Sequence, residues 1–199
     1  MFYLITISSA TIIISLVNFL CGGTYRPAAF FGFLLLTLAG VAAVFIIDGL
    51  MAFITRRLPE RWFLPESKLF TVGKREKNFY RKTKINTWKK YVPEWGCFTG
   101  FHKDKMRSPD DSAYIGRFLL ESNYGVAGHI AGALLGYAIV AIQPLRPLAI
   151  ALPVAVINMI LSLLPTMVLR FNTPALRRLY RRNLEKEQKE AEEEVAVES

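Results

Sequence analysis

The sequence predicts an all-α integral membrane protein with four transmembrane helices and a cytosolic interfacial helical segment between spans two and three. Three observations predict it. The chain of 199 residues is 52% hydrophobic, and the apolar residues are gathered into four runs. Those runs carry almost no charge: residues 2–21, 125–142 and 148–169 carry none, and residues 28–54 carry only Asp48. Each is close to the roughly 20 apolar residues that a helix needs to cross a bilayer. The basic residues are also unevenly placed. Of 25 Lys and Arg, 16 lie from Arg56 to Arg117 and seven from Arg170 onward, while Arg26 and Arg146 sit alone in short breaks between apolar runs. Cytoplasmic loops of membrane proteins are enriched in Lys and Arg. The N-terminus, the central segment and the C-terminal tail are therefore expected inside the cell, and two short hairpins outside.

The first span is expected at Phe2–Cys21 and ends at Gly22-Gly23. It lacks a basic leading region, its apolar run is long, and a second span follows closely, which argues for a span rather than a cleaved signal peptide. The second, of 27 residues, is about 40 Å long as a helix. It exceeds a hydrocarbon core of about 30 Å, so its inner end is expected among the headgroups, with Asp48 near that interface. The third carries Gly128, Gly132 and Gly136 at a spacing of four, which lets another helix approach closely. The fourth contains Pro153, Asn158, Ser162 and Pro165. Asn158 is expected to face the bundle, because an unpaired amide in lipid is costly.

The central segment, from Thr55 to about Tyr124, is poor in aliphatic residues and rich in basic and aromatic ones. Ile85, Trp88 and Val92 form a helical stripe flanked by Lys82, Lys84, Lys89 and Lys90. Segments of that composition lie in the membrane interface. Ser108-Pro109-Asp110-Asp111 reads as a helix start with Ser108 at the N-cap. Asn172-Thr173-Pro174 reads as another, opening a basic helix along the inner surface. The tail from Glu185 is rich in Glu and expected to be disordered. The chain thus divides into residues 1–56 (spans one and two), 57–124 (interfacial segment), 125–170 (spans three and four) and 171–199 (basic juxtamembrane helix and acidic tail).

A net charge of +9 would suggest nucleic acid in a soluble protein. Beside membrane spans it instead sets topology and meets anionic headgroups, so no nucleic-acid partner is expected. Cys21 and Cys97 fall on opposite faces in this topology, which excludes a disulfide between them. Neither they nor the two histidines offer metal-ligand spacing, and no bound metal or cofactor is expected. No phosphate loop or Gly-x-Ser-x-Gly elbow occurs. Neither histidine heads the His-and-Asp motif of the large glycerolipid acyltransferase class. His129 lies about one turn inside the third run, where an imidazole can take a proton from a hydroxyl. Equally, it can be a neutral residue hydrogen-bonded within the bundle. Glu121 precedes it by eight residues, about 12 Å of rise and some 80° of rotation on one unbroken helix. It can ion-pair with Arg117 four residues earlier, or approach His129 if the helix breaks at Gly125.

An ordered series of short motifs runs along residues 58–180. It comprises Trp62-Phe63-x-Pro65, Glu76-x-x-x-Tyr80, Trp88-Lys89-x-x-x-Pro93-Glu94 and Gly100-Phe101-x-Lys103. Glu121, followed by His129, and Asn172-x-Pro174-x-Leu176 complete it. This series resembles the glycosyl-4,4′-diaponeurosporenoate acyltransferase family, small bacterial membrane proteins linked to carotenoid glycolipids. Arg75 and Ile130 stand where that pattern has aromatic residues. The resemblance implies a multi-pass protein of the bacterial cytoplasmic membrane, with cytosolic termini, that moves a fatty acyl group onto a sugar hydroxyl of a lipid-linked glycoside. Its partners would be membrane lipids, an acyl-CoA or acyl carrier protein donor, and the glycolipid acceptor; self-association is open. Catalytic roles fall to His129 as general base and Glu121 as its orienter or a sugar ligand. Substrate contacts fall to Glu76, Tyr80, Trp88, Lys89, Lys103 and Asn172. The residues also admit a non-catalytic assembly subunit of a lipid-modifying complex, on the Gly-spaced span and charged tail, and a small-molecule carrier, on Asp48 and Asn158.

Overall fold

The computed structural model describes residues 2–22, 27–92, 106 and 108–198. Among them there is no strand. The helices are α1 (Phe2–Cys21), α2 (Pro27–Thr55), α3 (Lys74–Lys82), α4 (Ile85–Trp88), α5 (Ser112–Leu135) and α6 (Leu152–Glu198), with 3-10 turns and one π turn among the described residues between them. Among the described residues, four helical stretches are long and apolar enough to cross a membrane: Tyr3–Cys21, Ala28–Thr55, Ser112–Ala141 and Leu148–Val197. The first two match the first two apolar runs closely. The last two extend well beyond them.

The glycines of α5 set the packing, because each stands where a side chain would collide with a neighbouring helix. A Cβ on Gly128 would lie 3.6 Å from the Cα of Ala52 on α2, and one on Gly132 would overlap the carboxylate of Asp48. Just past α5, a Cβ on Gly136 would lie 2.9 Å from the amide nitrogen of Asn158 on α6. Small residues at this spacing let helix axes close up and trade side-chain bulk for dispersion contact. Here they also make room for polar groups. Gly125 does not break the helix; it faces Leu169, whose Cδ1 would lie 3.0 Å from an added Cβ.

At the end of the bundle away from the central segment, Ile14, Val44, Ile139, Leu145, Ile150 and Val154 form one apolar core. Ser15 on α1 donates to Thr37 on α2 at 3.2 Å. Asn18 donates 2.9 Å hydrogen bonds to the carbonyls of Ile14 and Ala149. The Ala149 carbonyl lies four residues before Pro153, which has no N–H to offer it. A backbone acceptor in hydrocarbon needs a donor, and Asn18 supplies one.

Three expectations are corrected. α5 begins at Ser112 rather than near Ser108, with Asp111 at the N-cap accepting from the Tyr114 amide at 3.1 Å. A carboxylate suits the positive end of a helix better than a hydroxyl, and residues 108–111 form the preceding turn. α6 is a single helix of 47 residues with Pro165 and Pro174 inside it, not a span followed by a new helix at Asn172. Internal proline costs roughly 3 kcal/mol, yet Leu176 beyond it is buried against Ile115 and Leu119 of α5. That packing keeps the two segments in one line. The acidic tail, expected to be disordered, is helical to Glu198. It is rich in Glu, Lys, Gln and Ala, all strong helix formers. It is also docked: Glu187 accepts from the Ser112 amide at 2.9 Å and from its hydroxyl at 2.5 Å, and Asn183 donates to the Pro109 carbonyl at 2.9 Å.

The central segment folds onto α6. Val72, Tyr80, Ile85 and Val92 are buried with Val168, and Leu164, Met167 and Phe171 pack around them. The Ile85, Trp88 and Val92 stripe is one α-turn and one 3-10 turn rather than a longer helix. Its apolar face meets protein. A second contact set joins Phe63 and Phe70 to Leu120, Tyr124 and Val126 of α5. Buried Asn123 fixes it by donating to the Phe63 carbonyl at 2.8 Å.

Candidate active site

Between α1, α2, α5 and α6 lies a cavity of about 520 Å3. Its walls are mostly aliphatic: Ile7, Ile14, Val41, Val44, Val154 and Leu161 are among them. Into this apolar space project Asp48 from α2, His129 from α5 and Asn158 and Ser162 from α6. Arg56 and Tyr124 line the end nearest the basic central segment. Concave, apolar sites with a few convergent polar groups are the usual form of a small-molecule site, at about 300–1,000 Å3.

The local sequence explains each placement. His129 follows Gly128, which lies against Ala52 of α2, so the imidazole beside that contact faces the space between the helices. No described residue hydrogen-bonds its ring. Asp48 fits only because Gly132 has no side chain, and it accepts from Asn158 Nδ2 at 3.3 Å. Asn158 faces the bundle as its polarity demands, seated in the gap left by Gly136.

Glu121 is almost fully buried, yet it does not line the cavity. Its carboxylate is clamped by Arg117 at 2.8 Å, the pair expected from their spacing, and by Arg56 at 2.6 Å. The helix runs unbroken from Ser112 to Leu135, so Glu121 and His129 stay two turns apart. What Glu121 does is hold Arg56 in place. The guanidinium also stands 5.8 Å from the centre of the Tyr124 ring. That ring in turn stacks on Phe63 with centroids 4.3 Å apart.

Of the other expected site residues, Glu76, Tyr80, Trp88 and Lys89 form a separate group on the flank of α6. Arg170 grips the Glu76 carboxylate with two hydrogen bonds of 2.5 and 2.7 Å, and the Tyr80 hydroxyl donates to it at 2.5 Å. Burial works to raise the Glu76 carboxyl, but the bonds from Arg170 and Tyr80 outweigh it and hold it below the ordinary carboxylate range. Burial first, and then the Glu76 carboxylate, push the Tyr80 phenol up. Trp88 donates to the Thr83 carbonyl at 3.0 Å and lines a second, apolar hollow with Tyr91, Val92 and Leu164. The ammonium of Lys89 stands 5.1 Å from the centre of the Phe171 ring. Arg177 adds bonds to Thr71 and to the Ser67 carbonyl. This group latches the central segment to α6. None of its members lines the His129 cavity. Asn172 is half-buried on α6, and Lys103 lies outside the described residues.

The sequence places Asp48 near the interface and offers it to a carrier reading, and it gives Arg56 and Tyr124 no role; all three line the cavity with His129. A signal was present for Asp48. A lone acid in an apolar run is a functional candidate by default, and Gly132 and Asn158 are the residues that accommodate it.

A family model, described as glycosyl-4,4′-diaponeurosporenoate acyltransferase, matches residues 59–182. That stretch holds the central segment, all of α5 and most of α6, well over half of the chain. No curated protein matches, and no solved structure does.

Proposed function

The chain belongs to the glycosyl-4,4′-diaponeurosporenoate acyltransferase family, and from that premise we propose that it is an integral-membrane enzyme moving a fatty acyl group onto a sugar hydroxyl of a lipid-linked glycoside. The family supplies the reaction class, acyl transfer, and the acceptor class, a glycosylated carotenoid acid. One observation carries the assignment to a site: His129 faces an apolar-walled cavity with no hydrogen-bond partner for its ring among the described residues.

The reaction needs a base for the hydroxyl and donors for the charge that develops on the acyl carbonyl. His129 takes the hydroxyl proton as the oxygen attacks the thioester carbon. The tetrahedral intermediate then expels the donor thiolate, which recovers the proton from the imidazolium. The Tyr124 hydroxyl lines the same cavity and serves as such a donor. Glu121 acts through Arg56, which it holds at the cavity end. The donor is acyl-CoA or acyl carrier protein, and Arg56 with its basic neighbours offers a cationic approach for the carrier's phosphates. By charge, that basic end belongs on the cytosolic side of a bacterial cytoplasmic membrane, with both termini.

The test is transfer of labelled palmitoyl groups from palmitoyl-CoA to a glycosyl carotenoid acid by protein in liposomes. His129→Ala is expected to lower the rate by about 10²–10⁴-fold, the usual worth of a positioned base. Wild-type activity in that variant would remove the assignment.

A further inference from the structure

The Asp48 and Asn158 pair has no part in the chemistry above, and its setting is unusual. A carboxylate and an amide face an apolar cavity, and the bond between them is a long one of 3.3 Å. No other described residue donates to the carboxylate, and none donates to the Asn158 carbonyl oxygen. Both side chains are partly buried, and a polar group facing apolar walls without its full set of hydrogen bonds is costly. Three notches are nonetheless kept for this pair and its surroundings: Gly128 against α2, Gly132 beneath Asp48 and Gly136 beneath Asn158. An aliphatic pair in the same place would pack better and span the membrane more cheaply.

We infer that Asp48 and Asn158 form the sugar subsite of the acceptor, receiving neighbouring hydroxyls of the glycosyl group while its apolar aglycone lies along the aliphatic walls. This rests on the acyl-transfer reading and names where its acceptor sits. The chemistry fits a polyol rather than a simple chain. A carboxylate accepts from two hydroxyls at once, and an amide beside it donates with one atom and accepts with the other. A fatty chain in the same position would leave both groups unsatisfied.

The geometry places the subsite beside the base. Positions three apart on a helix have Cβ atoms about 5–6 Å apart. The Asp48 carboxylate occupies the space of a Cβ on Gly132, three residues after His129. A hydroxyl held by Asp48 therefore presents its neighbour on the ring to the imidazole.

The experiment is direct binding, in nanodiscs free of glycoside detergent, of tritiated dodecyl β-D-glucoside, with dodecanol as the headless control and palmitoyl-CoA as the donor control. The wild type is expected to prefer the glucoside to dodecanol. Asp48→Asn is expected to weaken glucoside binding by about tenfold or more, the worth of hydrogen bonds to a charged group, with palmitoyl-CoA binding unchanged. Asn158→Leu, which keeps the branched shape, should do the same and serves if Asp48→Asn does not fold. Equal binding of dodecanol and glucoside, or wild-type glucoside binding by a folded variant, would overturn the subsite. Because binding is read without turnover, such a failure leaves the acyl-transfer reading standing. Intact glucoside binding with no transfer to any acceptor would instead sink that reading.

Discussion

The phenol of Tyr3 donates a 2.7 Å hydrogen bond to the carbonyl of Leu161. That carbonyl lies four residues before Pro165, whose ring removes the amide that would otherwise meet it. With Asn18 on the Ala149 carbonyl before Pro153, α1 thus places a side-chain donor at each of two proline-exposed carbonyls of the last span. Pairing of this kind allows prolines in a membrane helix without an orphaned acceptor.

Tyr3→Phe should therefore lower stability by about 1–2 kcal/mol, the range for a buried hydrogen bond left half unmade. Introducing Pro165→Ala restores an amide donor to the Leu161 carbonyl, so the cost of Tyr3→Phe should largely vanish in that background. Melting temperatures of the four proteins of this double-mutant cycle check it. An equal cost in both backgrounds would refute the pairing.

Gly132→Ala should be destabilising, although alanine ordinarily improves a helix by about 1 kcal/mol over glycine. The new methyl would overlap the Asp48 carboxylate and force Asp48 away from Asn158. Gly32→Ala on α2 is the control. A Cβ there meets nothing within 4 Å, so that variant should be neutral or slightly more stable. Thermal unfolding in one detergent compares the two.

The latch between Glu76 and Arg170 should make the central segment sensitive to acid. The folded pKa of Glu76 lies below its unfolded value. Its contribution is therefore complete above the ordinary glutamate value of about 4.3, and it is lost as pH falls through the lower folded value. Glu76→Gln should destabilise the protein at pH 7 and flatten the decline in melting temperature below about pH 4.3. Parallel curves for wild type and variant would rule the latch out as the source.

Glu121→Gln should act on Arg56 rather than on the proton transfer. The two arginines are about half in solvent, so screening limits the stability loss to about 1 kcal/mol. The acyl-donor KM should rise while kcat holds within about threefold, because only binding of the donor is altered. A collapse of kcat with unchanged KM would place Glu121 in the chemistry itself.

The spans were legible because charge is excluded from hydrocarbon whatever the surrounding fold. Phe2–Cys21 is charge-free from end to end, and α1 takes the same bounds. Other features depend on partners distant in sequence. Asp48 reads as interfacial from its place in α2, and only Gly132 and Asn158, on two other helices, reveal it as a cavity residue. Pro174 resembles a helix start because local preference favours one there; packing of Leu176 on Ile115 and Leu119 overrides it. The stripe of Ile85, Trp88 and Val92 shows an apolar face without saying what covers it. In the family series, Glu121 and His129 stand together as a motif, yet the helix between them carries the acid to the arginines and the imidazole to the cavity.

The tail of α6 reaches back to fasten the start of α5, with Glu187 on Ser112, while Asn158 sits wedged beside Gly136 near the opposite end. A rod of 47 residues, about 70 Å long, is thereby splinted to its neighbour at two widely separated points. Neither can slide or swivel against the other without undoing both fastenings.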